Sequence, residues 1–335
     1  MKLAIVYGTR PEFLKIKPLV LKLIDEKFDF KVIKINQHKN LVEDTNFYAD
    51  LLDIDDSTTE RISSIGSNIL NKLPSLIKDC THILAQGDTA SVFYSLLCGF
   101  QMNKKCIHLE AGLRTYDLDN PFPEEAFRQM ISRITDIHLC PSIKEIENLE
   151  IEKVKGSRFI VGNTILDLVK SYDIKVTYED KVLITLHRRE NWYNFKNYIV
   201  ELINLAKNNP LTKYYFICHP NPQLQIIIKE LSDSISSNFN ILDSLNHYDM
   251  IKLLSCCKYV ITDSGGIQEE ANFLGKHIYL LRKITERNNI DLSKISLIDI
   301  NDICKIKDFK QYDPGYEYGK GDSVEKIIEI LKNLI

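Results

Sequence analysis

A chain of 335 residues is too long for one typical domain and fits two of ordinary size. Its hydrophobic fraction of 44% is that of a globular protein, and a net charge of −3 with acids and lysines interspersed leaves no basic face for nucleic acid. No apolar run approaches the roughly 20 residues of a membrane span, and Met1-Lys2 leads into a strand without a signal peptide, so a cytoplasmic protein is expected.

Leu3 to Tyr7 is a short apolar strand broken by Gly8-Thr9-Arg10-Pro11. Pro11 fits the first turn of a helix, and Phe13, Ile16, Leu19 and Leu23 recur at helical spacing behind it. Strand-like runs follow at 30–35, 82–86, 105–109, 137–140 and 158–161, with helix-like stretches between them. The alternation restarts with strands at 181–186, 214–218, 239–242, 258–262 and 277–280, and a helix over about 323–334 ends the chain. Such βαβα order predicts parallel sheets covered on both faces. The polar stretch 170–180 has no clean period and reads as the linker. The expected division is therefore a first domain over 1–170, a second over 171–322 and a closing helix over 323–335. Eight cysteines are scattered without a C-x-x-C pair, which reads as buried free thiols in a reducing compartment.

In open α/β sheets ligands bind beyond the carboxyl ends of strands, and polar clusters fall there repeatedly. Gly8-Thr9-Arg10 follows the first strand, Gly87-Asp88-Thr89 follows 82–86, and Glu110 follows 105–109. His187-Arg188-Arg189-Glu190-Asn191, His219-Pro220 and Asp263-Ser264-Gly265-Gly266 follow strands of the second half. Clusters in both halves suggest a cleft with the two domains facing one ligand. The central stretch runs from His108 through Glu110, Gly112 and Arg114 to Pro121, Pro123, Glu124 and Glu125. Its turn-forming residues aim side chains instead of packing a core.

Several of these residues admit an ordinary structural role. Asp88 fits a cap for the helix beginning near Ala90, and Glu124 and Glu125 fit the first turn of a helix. Glu110 ends an apolar strand ahead of Ala-Gly, where a solvated surface role is awkward. Ser264 can cap a helix that Gly275 ends, and Gly265-Gly266 let a phosphate approach its N-terminus; an ordinary glycine turn reads equally well. Arg10, wedged between Gly8-Thr9 and Pro11, suits a phosphate contact, whereas Lys15 alone reads as surface charge. A G-x-G-x-x-G after a strand, a Walker lysine motif and an H-E-x-x-H are all absent, so neither a nicotinamide, a transferred γ-phosphate nor a metal is expected.

Taken in order, these motifs, with Gly162-Asn163-Thr164 and Gln268-Glu269-Glu270, resemble the non-hydrolysing UDP-N-acetylglucosamine 2-epimerases over nearly the whole chain. The resemblance implies two Rossmann-like doubly wound domains in the glycosyltransferase-B arrangement, with an interdomain active-site cleft and a homodimer. It implies interconversion of UDP-GlcNAc and UDP-ManNAc for surface polysaccharide synthesis, with no cofactor. Carried over by motif, Asp88, Glu110, Glu124 and His187 are the catalytic set, and Arg10, Lys15, Ser264, Gly265, Gly266, Glu270 and Arg287 hold UDP. Met250 stands where the family has an aromatic residue near the uracil. The chain departs from the pattern at Asn288, where proline is common, and is short around 170–180. Many members bind a second UDP-GlcNAc as activator through a Gln-His-Arg stretch and a later arginine; here Gln37-His38-Lys39 and Asn68 stand there. A glycosyltransferase of the same architecture, a hydrolysing epimerase and a nucleotide-sugar sensor are the rival readings.

Overall fold

The computed structural model describes residues 1–36, 47–54, 60–282, 290–306 and 310–334. It divides into two compact units, Met1–Leu168 with Tyr318–Ile335, and Val169–Glu317.

The first unit begins with β1 (Leu3–Tyr7), α1 (Arg10–Asp25), β2 (Phe30–Asn36), β3 (Asp50–Asp53), α2 (Arg61–Ile77), β4 (His82–Gln86) and α3 (Ala90–Gln101). It continues with β5 (Lys105–Leu109), α4 (Glu124–Ile134), β6 (Ile137–Cys140), α5 (Ile143–Ile151), β7 (Ser157–Ile160) and α6 (Thr164–Ser171). Its parallel sheet runs β3-β2-β1-β4-β5-β6-β7 among the described residues. Every residue of β1 is buried, as a strand covered on both faces requires. Leu3, Ile5 and Tyr7 pack with Phe13, Ile16 and Leu19 of α1, while Ala4 and Val6 meet Ile65, Ile69 and Leu96 on the other face.

The second unit contains β8 (Glu179–Thr185), α7 (Phe195–Asn208), β9 (Lys213–Ile217), α8 (Pro222–Glu230), β10 (Phe239–Leu242) and α9 (His247–Cys256). Then come β11 (Cys257–Thr262), α10 (Gly265–Phe273), β12 (His277–Leu280) and β13 (Ile295–Leu297). Its parallel sheet runs β10-β9-β8-β11-β12-β13. Val182 and Ile184 of β8 pack with Phe195, Ile199 and Leu202 of α7, and Leu183 packs with Ile251, Leu254 and Ala271 on the opposite face.

In each sheet the order reverses once, between β1 and β4 in the first and between β8 and β11 in the second. These reversals splay adjacent β–α connections apart and are where such sheets take ligands. Gly8-Thr9-Arg10 and Gly87-Asp88-Thr89 flank one reversal; His187 and Asp263-Ser264-Gly265-Gly266 flank the other.

All eleven strands expected from the sequence form, each within two residues at either end. Two more were not legible. β3 offers Leu51-Leu52 between aspartates and pairs with β2 on one side, and β13 is three residues long. The division between units falls inside α6, and the stretch 170–180 is fastened to the second unit. Thr177 N–H donates to Ser255 O at 3.0 Å, and Lys276 Nζ lies 3.8 Å from the centre of the Tyr178 ring. The last helix, α11 (Ser323–Lys332), is part of the first unit: Val324, Ile327, Ile328 and Leu331 share the core of α1. Asp167 accepts from Val324 N–H at 2.9 Å and fixes the start of that helix.

Gly112 turns the chain after β5 with φ +90°, and a Cβ there would lie 2.4 Å from the Glu145 carbonyl oxygen on α5. Both the left-handed backbone and the close approach require glycine. Gly112→Ala should lower unfolding free energy by about 3 kcal/mol, the sum of backbone strain and overpacking, measured by urea titration.

Candidate active site

Glu110 sits directly beyond β5 with φ +68°, an uncommon conformation for a residue with a side chain, and is only 7% exposed. Its N–H donates to Leu139 O at 3.0 Å, which ties the turn to β6. Its carboxylate accepts from side chains of separate elements. Lys15 Nζ from α1 stands 2.5 Å from Oε2, Gln86 Nε2 at the end of β4 also bonds Oε2, and Asn163 Nδ2 ahead of α6 lies 3.4 Å from Oε1. A carboxylate out of water needs such donors. Lys15 is thus placed on Glu110 and is not simple surface charge.

Asp88 does not cap α3; Thr89 holds that position without a side-chain cap. Asp88 Oδ2 instead accepts from Arg128 Nε of α4 at 2.7 Å, and the same guanidinium reaches Glu125 Oε2 at 3.2 Å. Glu125, fully buried, also accepts from the Thr115 and Tyr116 backbone N–H groups and from Gln129. It is an anchor. Its neighbour Glu124 opens α4 and stays partly exposed. Arg114 turns inward to Glu152 at 2.6 Å, so it belongs to the packing.

The β1 and β4 loops are joined by Glu12. Thr9 and Glu12 form a capping box at the start of α1, and Glu12 Oε2 accepts from Gly8 N–H at 2.6 Å. Its Oε1 accepts from the Thr89 hydroxyl at 2.6 Å. Burial outweighs these bonds and pushes the Glu12 carboxyl up to about 7. His108, pushed down to about 4 by burial, is neutral and donates from Nε2 to Gly87 O at 2.7 Å. Arg10 is exposed on the first turn of α1.

In the second unit Asp263 is fully buried and binds the β8 loop: His187 N–H at 2.8 Å, Arg188 N–H at 3.0 Å and Asn191 Nδ2 at 2.8 Å. The His187 ring is held below its ordinary value chiefly by burial and by neighbouring His219, with Asp263 opposing. Ser264 precedes α10 but makes no side-chain cap bond; its N–H donates to Thr262 Oγ1 at 3.0 Å. A Cβ at Gly266 would meet nothing within 4 Å, so chain neighbours do not demand glycine there. Glu270 Oε1 lies 2.8 Å from His247 Nε2. Met250 is half-buried on α9 against the core. Arg287, Asn288 and Gln37-His38-Lys39 lie outside the described residues, and Asn68 Nδ2 turns back to Ser64 O at 2.9 Å on α2.

A family model for UDP-N-acetylglucosamine 2-epimerase matches residues 22–332. The chain belongs to the UDP-N-acetylglucosamine 2-epimerase family, a family of isomerases. The Campylobacter jejuni UDP-N-acetylglucosamine 2-epimerase is 36% identical over 383 residues, spanning 98% of this chain and 97% of that one. Among solved structures, the Neisseria meningitidis UDP-GlcNAc 2-epimerase bound to UDP-GlcNAc superposes with a TM-score of 0.87 at 27% identity, covering 99% of this chain and 100% of that one. The S. aureus MnaA–UDP co-structure superposes with a TM-score of 0.86 at 27% identity, over 100% of this chain and 97% of that one. Among the described residues no helix is long and apolar enough to cross a membrane.

Sequence reasoning attached no role to Gln86, Arg128, Asn163, Asp263 or His247. Arg128 had a signal: it lies one helical turn beyond Glu124 and Glu125 on α4. Asn163 stood in a quoted motif, but its partner is remote in sequence.

Glu12 gives the first unit a pH-dependent element. Because its folded value of about 7 exceeds the ordinary 4.5, the native state binds more protons than the unfolded chain across that interval. Its contribution therefore favours folding below pH 4.5 and is lost as pH rises to about 7. In Glu12→Gln the amide oxygen can keep the loop N–H bonds and the amide can donate to Thr89. Its unfolding free energy relative to wild type should rise by about 3 kcal/mol across the window, measured by urea titration at several pH values.

Proposed function

We propose that this chain interconverts UDP-GlcNAc and UDP-ManNAc by elimination and re-addition of UDP, without releasing free sugar. The observation that carries the reading is the carboxylate set of the first unit. Asp88 and Glu110 stand at the carboxyl ends of the adjacent strands β4 and β5, and Glu124 begins the helix whose Arg128 holds Asp88. Family membership supplies the substrate class.

The C2 proton of the sugar is not next to a carbonyl and is barely acidic. Breaking the C1–O bond to UDP builds positive charge toward C1 and makes that proton removable by a carboxylate. The products are a 2-acetamidoglucal and UDP. In the return step a diphosphate oxygen adds to C1 while a proton is delivered to the opposite face of C2. Two faces need acid and base groups in different environments, and the environments here do differ. Glu110 is nearly enclosed and bonded to an ammonium and two amides, whereas Asp88 is bonded to a guanidinium and keeps 27% of its side-chain surface.

The second unit holds the leaving group in this reading. The open space at Gly266 and the N-terminus of α10 suit a diphosphate, with His187 supplying a donor. Glu270 takes the ribose, and Met250 and Arg287 complete the nucleotide contacts. Lys15, bonded to Glu110, can serve the carboxylate and an anionic oxygen together, since an ammonium has three donors. The same reading carries a cytoplasmic homodimer feeding surface polysaccharide. Eight free thiols, six of them buried, fit a reducing compartment.

The test is an NMR time course with UDP-GlcNAc in D2O. Deuterium should enter C2 of both sugar nucleotides, with no free ManNAc. Glu110→Gln should slow the exchange about a thousandfold and leave UDP affinity within about threefold, a change of under 1 kcal/mol. Epimer formed without deuterium, or accumulation of free sugar, overturns the mechanism.

A further inference from the structure

Within the second unit a chain of three polar side chains ends on Glu270. Tyr172 Oη lies 2.9 Å from His247 Nδ1, and His247 Nε2 lies 2.8 Å from Glu270 Oε1. The members come from three places: the segment following α6, the first residue of α9 and the middle of α10. The His247 and Glu270 side chains are 10% and 7% exposed, so water does little to orient either. The Tyr172 ring packs against the His247 ring at 5.6 Å between centres and edge-on to Tyr248 at 5.2 Å. Asn246 caps α9 through the Asp249 N–H at 2.9 Å, which fixes the backbone beside His247.

The hydrogen bonds can run in one direction when the imidazole is neutral. An ionised carboxylate only accepts, so Nε2 carries the proton and donates to Oε1. Nδ1 then holds the lone pair and accepts from the phenol. The bond to His247 is the one hydrogen bond to the Glu270 side chain among the described residues. Glu270 Oε2 thus keeps its acceptor capacity for a ligand. Glu270 also lies five residues beyond Gly265, about 7.5 Å along the helix axis from the end that suits a diphosphate. That spacing suits the ribose joined to that diphosphate.

We propose that Tyr172 and His247 are positioning residues that hold Glu270 for the 2′-hydroxyl of a uridine ribose, so that the unit distinguishes ribose from deoxyribose. The inference rests on the assignment of Glu270 to the ribose made above. An acceptor held in place forms a directed bond to a hydroxyl, and a ligand lacking that hydroxyl leaves the buried carboxylate oxygen without its donor. A carboxylate free to rotate makes a weaker bond and loses less when the hydroxyl is absent.

The test compares UDP with 2′-deoxy-UDP by calorimetry on the full chain and its variants. Wild type should bind UDP at least about tenfold more tightly, the order expected for a hydrogen bond to a charged group. His247→Phe should weaken UDP binding and bring the two ligands within about twofold. His247→Gln, whose amide can donate to Oε1, should restore most of the preference, and Tyr172→Phe should reduce it without abolishing it. A purely structural role for His247 would weaken both ligands equally, and that result overturns the proposal. If His247→Phe does not fold, Tyr172→Phe with undiminished preference overturns it instead. A preference lost in Glu270→Ala but intact in His247→Phe refutes the positioning chain alone. Wild type binding both diphosphates alike refutes the ribose assignment of Glu270 as well, while failure to bind UDP at all refutes the functional reading beneath both.

Discussion

The first unit depends on one enclosed carboxylate. Glu110 stands where β5 ends, and an ionised group there is stable only if donors replace the water it has lost. They come from α1, from the end of β4 and from the turn before α6, so one side chain gathers the outputs of three separate β–α connections. The positive φ of Glu110 is part of the same arrangement. Strain of that kind persists only when surrounding bonds over-determine it, and here the turn is held by the β6 backbone as well as by the side chain. Removing the ammonium would take from a buried charge its bond to a cation, so Lys15 matters to the architecture even before any ligand is considered.

Each unit solves the same geometric problem in its own way. Where strand order reverses, two neighbouring loops run apart, and nothing in the sheet ladder fixes one against the other. In the first unit Glu12, in the first turn of α1, bonds the Gly8 N–H of the loop after β1 and reaches Thr89 in the loop after β4. In the second, Asp263, from the loop after β11, collects two backbone N–H groups and an amide from the segment after β8. A buried acid bridges the reversal in both. The bridge fixes the backbone around Asp88 in one case and around His187 in the other. A residue that serves only as a brace is therefore needed for the geometry of the residue beside it.

Much of this was legible in the sequence because parallel sheets write themselves as apolar runs, and the loops beyond them stand out by contrast. Leu3–Tyr7 and Cys257–Thr262 are fully or nearly fully buried runs of that sort. The ordered motifs then gave the family. What could not be read was pairing. Strand order is not written in any one run, so the reversals at β1/β4 and β8/β11 were invisible even though motifs fell on both sides of them. The destination of α11 was equally hidden: its apolar stripe marks a packed helix but not the unit it packs in, and it returns to α1 across more than half the chain. The edge strands β3 and β13 carried too few apolar residues to register, β13 with three residues in all. Side-chain partners such as Lys15 with Glu110, separated by 95 positions, have no local signature.

The pair Glu124-Glu125 shows why a motif alone does not separate braces from carboxylates that keep solvent contact. The two residues are chemically identical and adjacent, and either could be read as a favourable charge at a helix start. Successive helical side chains point about 100° apart, so they cannot share an environment. Glu125 turns under the loop and is saturated by two backbone N–H groups, a glutamine and Arg128. A carboxylate with every lone pair committed and no exposed surface has no capacity for a substrate proton. Glu124 retains contact with solvent. The same criterion sorts the wider set: Glu12, Glu125, Glu152 and Asp263 are consumed by the protein's own donors, while Asp88 and Glu124 keep open surface. Glu110 falls between the groups, since Lys15, Gln86 and Asn163 hold it through side chains that can exchange an acceptor for a ligand without unravelling a backbone turn.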